Sequence, residues 1–504
     1  MKKILTIASL LVSASSSFAD SAWPLSQAME LQADTPVNRL QILGAHNAWN
    51  DSDATWANQR WALDKLMDNG VRNIDLDIHL DGGVVKLCHQ DCGAIYAAVD
   101  SYPNELQKIA NWLATHPKEI IFVDLEDRVG NQALVEAPLK SIFGSMLYLP
   151  SDKPSGRWET PREMVAKGKR VIVKGANNTY DGSLIWDGRI FATGADGGWN
   201  SRPVKYFDTA SCKMDGNPLV LGQIYTISDS KLGKDLLPDS WVDNTGTIDS
   251  SNIPRLFACG VNNVDADRWD DSMTGAAVWS WGSGEPNNAG AGENCAEQRS
   301  DGRWNDNSCT VVHRFACQNV SNPDDWRVTS GSGAWEQGRA QCASEYAGYR
   351  FAVPANSYQN QRLLAINGGQ SLWLNYSDKA REGKWEAYYA TTNSWASGNY
   401  ANNQQIYQTL SIAGASAVKV TVTGGLDGIG DSLQIFNGSR QLQRTLIGTN
   451  ISTSFVVNDN SVIIALNTDA AVSGNVSVQI ESTTLTEIPV WKSLVNGKGK
   501  CLDL

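Results

Sequence analysis

One stretch constrains the fold of this chain more than any other: residues 70–90, which read GVRNIDLDIHLDGGVVKLCHQ. Residues i and i+2 of a strand share a face, so Asp75 and Asp77 point one way while the apolar residues around them point the other. This split suits a strand of a parallel α/β barrel, whose acids would face the barrel axis near its C-terminal mouth. Covered carboxylates are costly without a cation, so the pattern favours a metal-assisted site over a solvated face.

The start of the chain has the composition of a signal peptide. MKKILTIASLLVSASSSFA, residues 1–19, has a basic start, an apolar run and small residues at Ser17 and Ala19, which predicts cleavage after Ala19. No later stretch is apolar enough to span a bilayer. The sequence therefore predicts a secreted protein without a transmembrane segment.

The charge balance argues against some classes of partner. The formal net charge is −12 over 504 residues, and removal of Lys2 and Lys3 with the signal peptide makes it −14. Such a balance argues against nucleic acid as a partner and against polybasic attraction to anionic lipid. The length exceeds that of one domain and predicts three or four packed units.

The chain has nine cysteines and no CxxC pair, which in an exported protein favours disulfides over a metal cluster. Eight cysteines allow about 105 pairings, of which we expect the local ones. The predicted disulfides are Cys88–Cys92, Cys212–Cys259, Cys295–Cys309 and Cys317–Cys342. Cys501, near the end of the chain, is predicted to be left over.

Apolar runs alternate with amphipathic stretches from residue 39 onward, a pattern typical of a parallel α/β fold. Eight such runs in about 245 residues match the size of a TIM-type (β/α)8 barrel, which we predict for residues 20–282. The candidate strands are RLQILGAH, VRNIDLDI, VVKLCH, EIIFVDLED, KRVIVKG, RIFATG, RLFACGV and GAAVWSW.

Polar residues capable of chemistry lie at or near the ends of these runs. Because the carboxyl ends of barrel strands meet at one mouth, a series of such residues is typical of an active site. The series comprises His46, Asn47, Asp75, Asp77, His89, Glu126 and Lys174.

The segments GAHNAW, GVRNIDLDIHLDGG, KLCHQ, VDLED and RVIVKG together resemble the X region of phosphoinositide-specific phospholipase C, over residues 30–282. In the metal-independent bacterial branch of that family an arginine follows the strand acid two positions on, where this chain has Asp77. The chain is therefore more similar to the calcium-dependent branch. The resemblance implies Ca²⁺ bound by oxygen donors, as that hard ion requires, from Asn47, Asp75, Asp77 and Glu126.

The same resemblance implies a phospholipid substrate at a membrane surface. His46 and His89 would be the catalytic pair, with Asp75 as the base for the inositol 2-hydroxyl and Lys174 as a substrate-binding residue. The implied reaction is Ca²⁺-dependent cleavage of phosphatidylinositol through a cyclic inositol phosphate. The other histidines match no motif and are expected to be structural or surface residues: His79, His116 and His313.

Two related enzyme classes stay open as alternatives. Glycerophosphodiester phosphodiesterases share the acid-x-acid strand followed by a histidine, but they normally begin with a His-Arg-Gly signature that GAHNAW lacks. Secreted spider-type phospholipases D add a disulfide beside that histidine, much like CHQDC here. An alternative of another class is a lectin or adhesin with an inactive barrel. The presence of both histidines and of all four ligand positions favours the enzyme.

The composition changes after residue 281 to Gly, Asn and Ser with scattered Trp. GEPNNAGAGENCAEQRSDGRWNDNSCTVVHRFAC resembles the second half of a C-type lectin domain, including its EPN and WND signatures. The resemblance implies a second Ca²⁺ site and glycan partners of the mannose type. The implied ligands are Glu285, Asn287, Glu293, Asn305 and Asp306.

The lectin-like segments stand in reversed order within residues 283–400. Residues 324–390 look like the opening half of the same domain, although they follow its closing half. Either two truncated copies lie in tandem, or residues 279–317 and 324–390 form one circularly permuted domain. We predict the permuted domain, closed by a disulfide between Cys317 and Cys342.

The remaining segments are predicted to be β-rich. Alternating runs in residues 404–484, such as VKVTVTGG and SVIIALNT, predict an all-β sandwich, and GDSLQIFNG resembles a CUB domain strand. Residues 485–504 include LVNGKGKCLDL, which is similar to the start of a ricin-type trefoil. A trefoil does not fit in what remains, so either the sequence is truncated or the tail is vestigial, and a Cys501 without a partner favours truncation.

Overall fold

A computed structural model describes most of the chain: residues 25, 29–51, 57–88, 92, 99–175, 179–187, 199–220, 222–231, 245–290, 292–379, 382–387, 392–412, 417–427, 430–470, 474–482, 494–495 and 501–502. The chain divides into two compact units. The first comprises residues 1–280 and 355–360, and the second comprises residues 281–354 and 361–504.

The first unit is of mixed α/β structure. Its strands are β1 Ile42–Ala45, β2 Val71–Asp81, β3 Val84–Cys88, β4 Val99–Ser101, β5 Ile121–Arg128, β6 Val171–Gly175, β7 Trp186–Asp187, β8 Trp199–Pro203, β9 Phe207–Asp208, β10 Lys213–Met214, β11 Asn217–Pro218, β12 Ile224–Ser228 and β13 Asn263–Ala266. Its α-helices are α1 Leu63–Asp68, α2 Tyr102–Thr115, α3 Gln132–Phe143, α4 Pro161–Ala166, α5 Ile253–Ala258 and α6 Asp271–Ala277.

Eight parallel strands form the main sheet of this unit, in the order β7-β6-β5-β2-β1-β13-β12-β8. Strand β3 pairs antiparallel with β2, and β4 pairs antiparallel with β3. Among the described residues β7 and β8 do not pair with each other. The observed sheet is therefore a parallel half-barrel, consistent with a partial TIM-like fold, and the closed barrel stays a prediction.

Side-chain alternation separates the two faces of the half-barrel. Ile74, Leu76 and Ile78 of β2 are fully buried and share one core with apolar residues of α1, α2 and α3. Full burial of such a side chain is worth about 1.5–3 kcal/mol. On the opposite face a separate core forms the floor of the half-barrel and includes Ile42 and Phe122. The alternation predicted for β2 agrees with this arrangement.

Two predicted strands are wrong: residues 255–258 of RLFACGV belong to helix α5, residues 275–277 of GAAVWSW belong to helix α6, and neither run forms a strand. Pro254 lies in the first turn of α5, and the side chain of Asp270 caps α6 by accepting a hydrogen bond from the Met273 N–H. Short apolar runs do not distinguish a buried helix from a buried strand by periodicity alone. Sequence patterns also missed β12 and β13.

Two further predicted strands differ in other ways. The described residues of VVKLCH, Val84–Cys88, form a strand, but it turns back against β2 and does not contribute a parallel strand to the half-barrel. RIFATG spans residues 189–194, which lie outside the described residues.

The second unit contains a lectin-like sheet followed by further β structure. Its strands are β14 Cys295–Gln298, β15 Trp304–Asn307, β16 His313–Asn319, β17 Trp326–Gly333, β18 Tyr349–Phe351, β19 Leu372–Ser377, β20 Thr392–Ala396, β21 Gln405–Ser411, β22 Val418–Gly425, β23 Ser432–Asn437, β24 Leu442–Leu446, β25 Ile451–Val457, β26 Ser461–Asn467, β27 Asn475–Ser482, β28 Leu494–Val495 and β29 Cys501–Leu502. Helix α7 is Gly338–Glu345, and helix α8, Ser357–Leu364, begins in residues assigned to the first unit.

The two lectin-like segments contribute to one six-stranded sheet. Its order is β15-β14-β19-β16-β17, and β18 pairs with β16. Residues 279–317 and 324–390 both supply strands, and the disulfide Cys317–Cys342 joins β16 to α7. The prediction of that disulfide is confirmed. The relation of this order to a circular permutation stays a prediction.

Residues 392–482 form two antiparallel sheets around one apolar core. The strand orders are β20-β27-β22-β25 and β21-β26-β23-β24. Alternate residues of β22, β23, β26 and β27 fill the core, as the period of two predicts. The described part of this region is an all-β sandwich.

All four predicted disulfides are present: Cys88–Cys92, Cys212–Cys259, Cys295–Cys309 and Cys317–Cys342. The side chain of Cys501 lies outside the described residues. In the part of the chain that the structure describes, no helix has the length and apolar character needed to cross a bilayer.

Candidate functional site

The polar residues predicted from strand ends lie on neighbouring strands of the half-barrel. Asp75 pairs with Asp124, and Asp77 pairs with Glu126 across β2 and β5. Asp124 in turn pairs with Lys174 of β6. Paired residues of parallel strands share a face, so these side chains lie on the face opposite the helices.

His46 follows β1 and is held by a carboxylate that sequence analysis missed. Its Nδ1 lies 2.9 Å from Oδ1 of Asp267, which follows β13. Asp267 also accepts hydrogen bonds from Nδ2 of Asn58, at 3.0 Å, and from the Lys231 N–H, at 2.6 Å. Burial alone would lower the pKa of His46, but the charge and hydrogen bond of Asp267 raise it well above the usual value.

Asn47 has a backbone conformation that few residues adopt. Its φ is +46°, in the left-handed region that asparagine tolerates better than most residues. Its Nδ2 lies 3.3 Å from Nε2 of His46. Its Oδ1 is buried and has no hydrogen-bond partner among the described residues. A buried amide oxygen of this kind is available to a ligand.

His46, Asp75 and Glu126 offer ligand atoms that all lie within 4.8 Å of one another. Asp75 is 5% exposed, and its Oδ1 also lacks a partner among the described residues. Burial and the neighbouring charge of Glu126 raise the pKa of Asp75 well above the usual value. Carboxylate and amide oxygens are the donors that Ca²⁺ prefers, so Asn47, Asp75 and Glu126 fit such an ion.

The Asp77 carboxylate contacts two basic side chains that the sequence patterns did not predict as its partners. Its Oδ1 lies 3.1 Å from Nε2 of His79 and 3.8 Å from Nε of Arg128. Arg128 also lies 3.9 Å from Glu126. The role of Asp77 as a metal ligand stays a prediction, as does the structural role expected of His79.

Lys174, the predicted substrate-binding residue, forms an ion pair with Asp124. Its Nζ donates to both carboxylate oxygens, at 2.7 and 2.5 Å, and lies 4.7 Å from the ring centre of Trp199. The strand sequence VDLED contains both Asp124 and Glu126, so its period of two was the signal that could have identified Asp124.

His89, the second predicted catalytic histidine, lies outside the described residues. The disulfide Cys88–Cys92 encloses it in the sequence and ties the end of β3 to the following turn. Asp267 was missed because the sequence patterns placed a strand at 255–261, just before β13. The run NVDAD, residues 263–267, was the signal that could have identified Asp267, because its polar and apolar residues alternate as in a strand with one buried face.

The predicted lectin ligands lie close together in the second unit. Asp306 accepts hydrogen bonds from the Asn287 and Asn288 N–H groups, at 3.0 and 2.6 Å. Nδ2 of Asn287 donates to Oε2 of Glu285 at 2.6 Å. Glu293 accepts from the Ala289 N–H at 2.8 Å. These hydrogen bonds draw the loop of residues 285–293 onto β15.

Arg299 occupies a position between two of these predicted ligands. Its guanidinium donates to Oε1 of Glu285 at 2.7 Å and to Oδ1 of Asn305. Burial raises the pKa of Glu285, and the hydrogen bond from Arg299 acts in the opposite direction. The five predicted ligands supply oxygen donors that fit Ca²⁺, whereas Arg299 already places a positive charge among them.

Family models match two parts of the chain. The PI-PLC X model (PI-PLC X 1) matches residues 36–183, and the lectin C-type domain model matches residues 260–319. The half-barrel with its strand-end acids and the six-stranded sheet thus define a protein that joins a PI-PLC X domain to a C-type lectin domain.

The curated relatives agree with this division. C-type lectin lectoxin-Enh2 of Pseudoferania polylepis is 32% identical over 91 residues, covering 17% of this chain and 77% of that protein. Through its lectin domain, the chain belongs to the C-type lectin family.

Relatives of the first unit are more distant. PI-PLC X domain-containing protein 1 of Arthroderma benhamiae is 28% identical over 145 residues, covering 28% of this chain and 47% of that protein. A PI-PLC X domain-containing protein of Arabidopsis thaliana is 25% identical over 152 residues, covering 27% and 36%. The chain therefore spans less than half the length of these relatives.

Proposed function

We propose that the protein is a secreted, Ca²⁺-dependent phosphodiesterase that cleaves phosphatidylinositol-type lipids through a cyclic inositol phosphate. One observation carries this proposal: His46, held by Asp267, lies beside the oxygen donors of Asn47, Asp75 and Glu126 within a PI-PLC X domain. The four disulfides support an oxidising destination such as the exterior of the cell.

Asn47, Asp75 and Glu126 would hold the cation, with Asp77 next to Glu126 on the neighbouring strand. A bound Ca²⁺ supplies positive charge that lowers the pKa of a hydroxyl group and offsets the charge of a phosphate. The unpartnered Oδ1 atoms of Asn47 and Asp75 support this assignment, because buried acceptors without a partner are rare in folded proteins.

The chain's own residues would move the protons. Asp75 would accept the proton of the inositol 2-hydroxyl, as a buried carboxylate next to His46 and Glu126. His46, kept protonated by Asp267, would donate to the phosphoryl oxygens that gain negative charge. His89 would protonate the departing diacylglycerol oxygen and then activate water against the cyclic phosphate. Lys174, in register with Asp124 and Asp75, would add positive charge to the site.

A panel of substrates tests the reaction class. Purified protein is incubated with phosphatidylinositol, phosphatidylcholine and glycerophosphodiesters, and products are identified by phosphorus NMR. We expect a cyclic inositol phosphate from phosphatidylinositol. Glycerol phosphate or a choline-derived product alone would favour the glycerophosphodiesterase or phospholipase D alternative. Turnover of no substrate would favour a lectin or adhesin with an inactive barrel.

We also propose that the lectin domain binds glycans of the mannose type and targets the enzyme to a surface. Membership of the C-type lectin family and the closed loop around Asp306 support this second function. Retention on a mannan column in Ca²⁺ and release by chelator would test it. Retention that is equal in Ca²⁺ and chelator would contradict the calcium-dependent site. The CUB-like and ricin-type identities of residues 404–484 and 485–504 stay proposals from sequence.

A further inference from the structure

A second set of polar side chains lies in the half-barrel, nearer its floor than His46 and Asp75. We call Asn73, Asn263 and Asp265 the deep polar group. Gly44 of β1 pairs with Asn73 on one side and with Asp265 on the other, so these side chains share the inner face. The three residues of the group are 0%, 1% and 4% exposed.

The deep polar group contains oxygens without hydrogen-bond partners. Oδ1 of all three residues and Nδ2 of Asn73 have no partner among the described residues. More than nine in ten buried polar groups in proteins are hydrogen-bonded, so three such oxygens on adjacent strands are unusual. The group is richer in acceptors than in donors, and a ligand that fits it must therefore be a donor or a cation.

The Oδ1 atoms of Asp265 and Asn263 both lie close to Gly44 of β1. A Cβ atom at Gly44 would lie 2.5 Å from Oδ1 of Asp265 and 2.6 Å from Oδ1 of Asn263. The two oxygens therefore lie within about 5 Å of each other, above a residue that has no side chain. Hard cations are bound by oxygen atoms that surround a common centre in this way.

Asp265, like Asp75, lacks the basic partner that neighbouring acids have. Asp124 is paired with Lys174, Asp267 with His46, and Asp229 with Lys231. Asp265 forms an ion pair with no side chain in the described ranges. A buried carboxylate without a compensating charge is strongly unfavourable.

We propose that the deep polar group binds a second divalent cation, of the Ca²⁺ class, through the Oδ1 atoms of Asn73, Asn263 and Asp265. Carboxylate and amide oxygens are suitable ligands for such an ion, and its charge compensates that of Asp265. A buried water would satisfy the acceptor oxygens without supplying that charge. The deep polar group shares no ligand with the set formed by Asn47, Asp75 and Glu126, and its occupation does not require the protein to be an active enzyme.

Equilibrium dialysis of the full chain against Ca²⁺, without substrate, tests this site. We expect Asp265→Ala to bind a single ion fewer than the unaltered protein. Glu136→Ala is the matched control, because Glu136 is also a buried acid of this unit but lies on α3 and is paired with Lys140, and it should bind the unaltered number of ions. If folded Asp265→Ala binds as many Ca²⁺ ions as the unaltered protein, the proposal is overturned. A buried water or protonation of Asp265 would then account for the deep polar group.

Asn263→Ala provides a second, milder variant should Asp265→Ala fail to fold. Nδ2 of Asn263 donates to Thr226, so the change removes one neutral hydrogen bond and one ligand oxygen. We expect one Ca²⁺ to bind at least about tenfold more weakly while the others are unaffected. Unchanged affinity for every ion would contradict the site. Because ions are counted without substrate, loss of this site and absence of phosphodiesterase activity are separate results.

Discussion

His46 illustrates how single residues set the chemistry of the proposed active site. Its ring is oriented by Asp267, which is itself fixed by Asn58 and by the backbone of Lys231. A histidine held by a buried carboxylate keeps one orientation and favours its protonated form. Asp267 is therefore a positioning residue, and its removal should change the pH dependence of the reaction as well as its rate.

Substitution of His46 by Ala should lower the turnover of phosphatidylinositol by about two to four orders of magnitude, the usual range for a positioned acid–base group. His89→Ala should have an effect of the same size. Asp267→Asn should lower kcat and shift the loss of the imidazolium to lower pH, since it removes the charge that raises the pKa of His46.

Profiles of rate against pH, measured by head-group release, check these effects. Asp271→Asn, on the exposed surface of α6, serves as a control and should behave like the unaltered protein. A near-normal rate in either histidine variant would remove the role assigned to that residue. An unshifted profile in Asp267→Asn would mean that Asp267 does not control the protonation of His46.

Glu105 on α2 should give the first unit a pH-dependent stability. It is fully buried, and burial raises its pKa to about 7 despite the ion pair with Lys108. The folded state therefore holds this proton more tightly than the unfolded chain, in which the pKa of the Glu105 carboxyl is 4.5. The bound proton therefore stabilises the folded state. This stabilisation is fully present below pH 4.5 and is lost as the pH rises to about 7.

Glu105→Gln does not titrate, so its free energy of unfolding should lack this decline. Urea unfolding at about pH 5 and about pH 8 measures the difference. Glu136→Gln, which changes another buried carboxylate that is paired with Lys140, should retain the decline. An equal pH dependence in Glu105→Gln and the unaltered protein would show that Glu105 is not the group responsible.

At the scale of elements, β1 is fitted closely to β13. Gly44 lies where any larger residue would overlap Asp265 and Asn263, as the distances of 2.5 and 2.6 Å to a Cβ atom indicate. The strand therefore tolerates only glycine at this point without displacement of the neighbouring side chains. This requirement comes from packing and not from the backbone conformation.

Gly44→Ala should lower the free energy of unfolding by about 1–3 kcal/mol, the usual cost of overpacking. Gly275→Ala on α6 is the matched control, because a Cβ atom there would meet nothing within 4 Å. The control should be stabilised by up to about 1 kcal/mol, since alanine favours a helix over glycine. Urea unfolding measures both variants, and equal effects of the two changes would contradict the close fit.

Arg299, which directly follows β14, places a positive charge beside the predicted ligands Glu285 and Asn305. Arg299→Gln should raise the Ca²⁺ affinity of the lectin domain by about two- to fivefold, the value of a partly exposed ion pair. The physical reason is that a cation no longer has to displace the guanidinium from Glu285 and Asn305.

Titration with Ca²⁺, followed by tryptophan fluorescence, measures this affinity. Arg303→Gln removes a charge from the same β14–β15 connection and should leave the affinity near that of the unaltered protein. If Arg299→Gln binds Ca²⁺ no more tightly than Arg303→Gln, then Arg299 does not compete with the ion.

At the scale of the whole molecule, sequence patterns predicted the segments in which local chemistry is distinctive. The alternation in β2 identified the face of Asp75 and Asp77, because the period of a strand is two. The spacing of cysteines identified all four disulfides, and the EPN and WND signatures identified the lectin domain.

Other features depend on contacts between distant parts of the chain. The runs at 255–261 and 275–281 are apolar enough for strands, but each begins inside a helix and forms no strand. That error hid β13, and with it Asp265 and Asp267. Arg299 was missed because ligand signatures name acids and amides, whereas its role follows from its distance to Glu285.

The proposed function of the whole molecule joins a Ca²⁺-dependent phosphodiesterase to a glycan-binding domain. It requires that the oxygen donors beside His46 bind a cation without which the reaction does not proceed. Phosphorus NMR of phosphatidylinositol vesicles with the purified protein, in excess Ca²⁺ and in excess chelator, tests this claim most directly. We predict that a cyclic inositol phosphate accumulates in Ca²⁺ and that its formation stops in chelator. Full activity in chelator would contradict the claim.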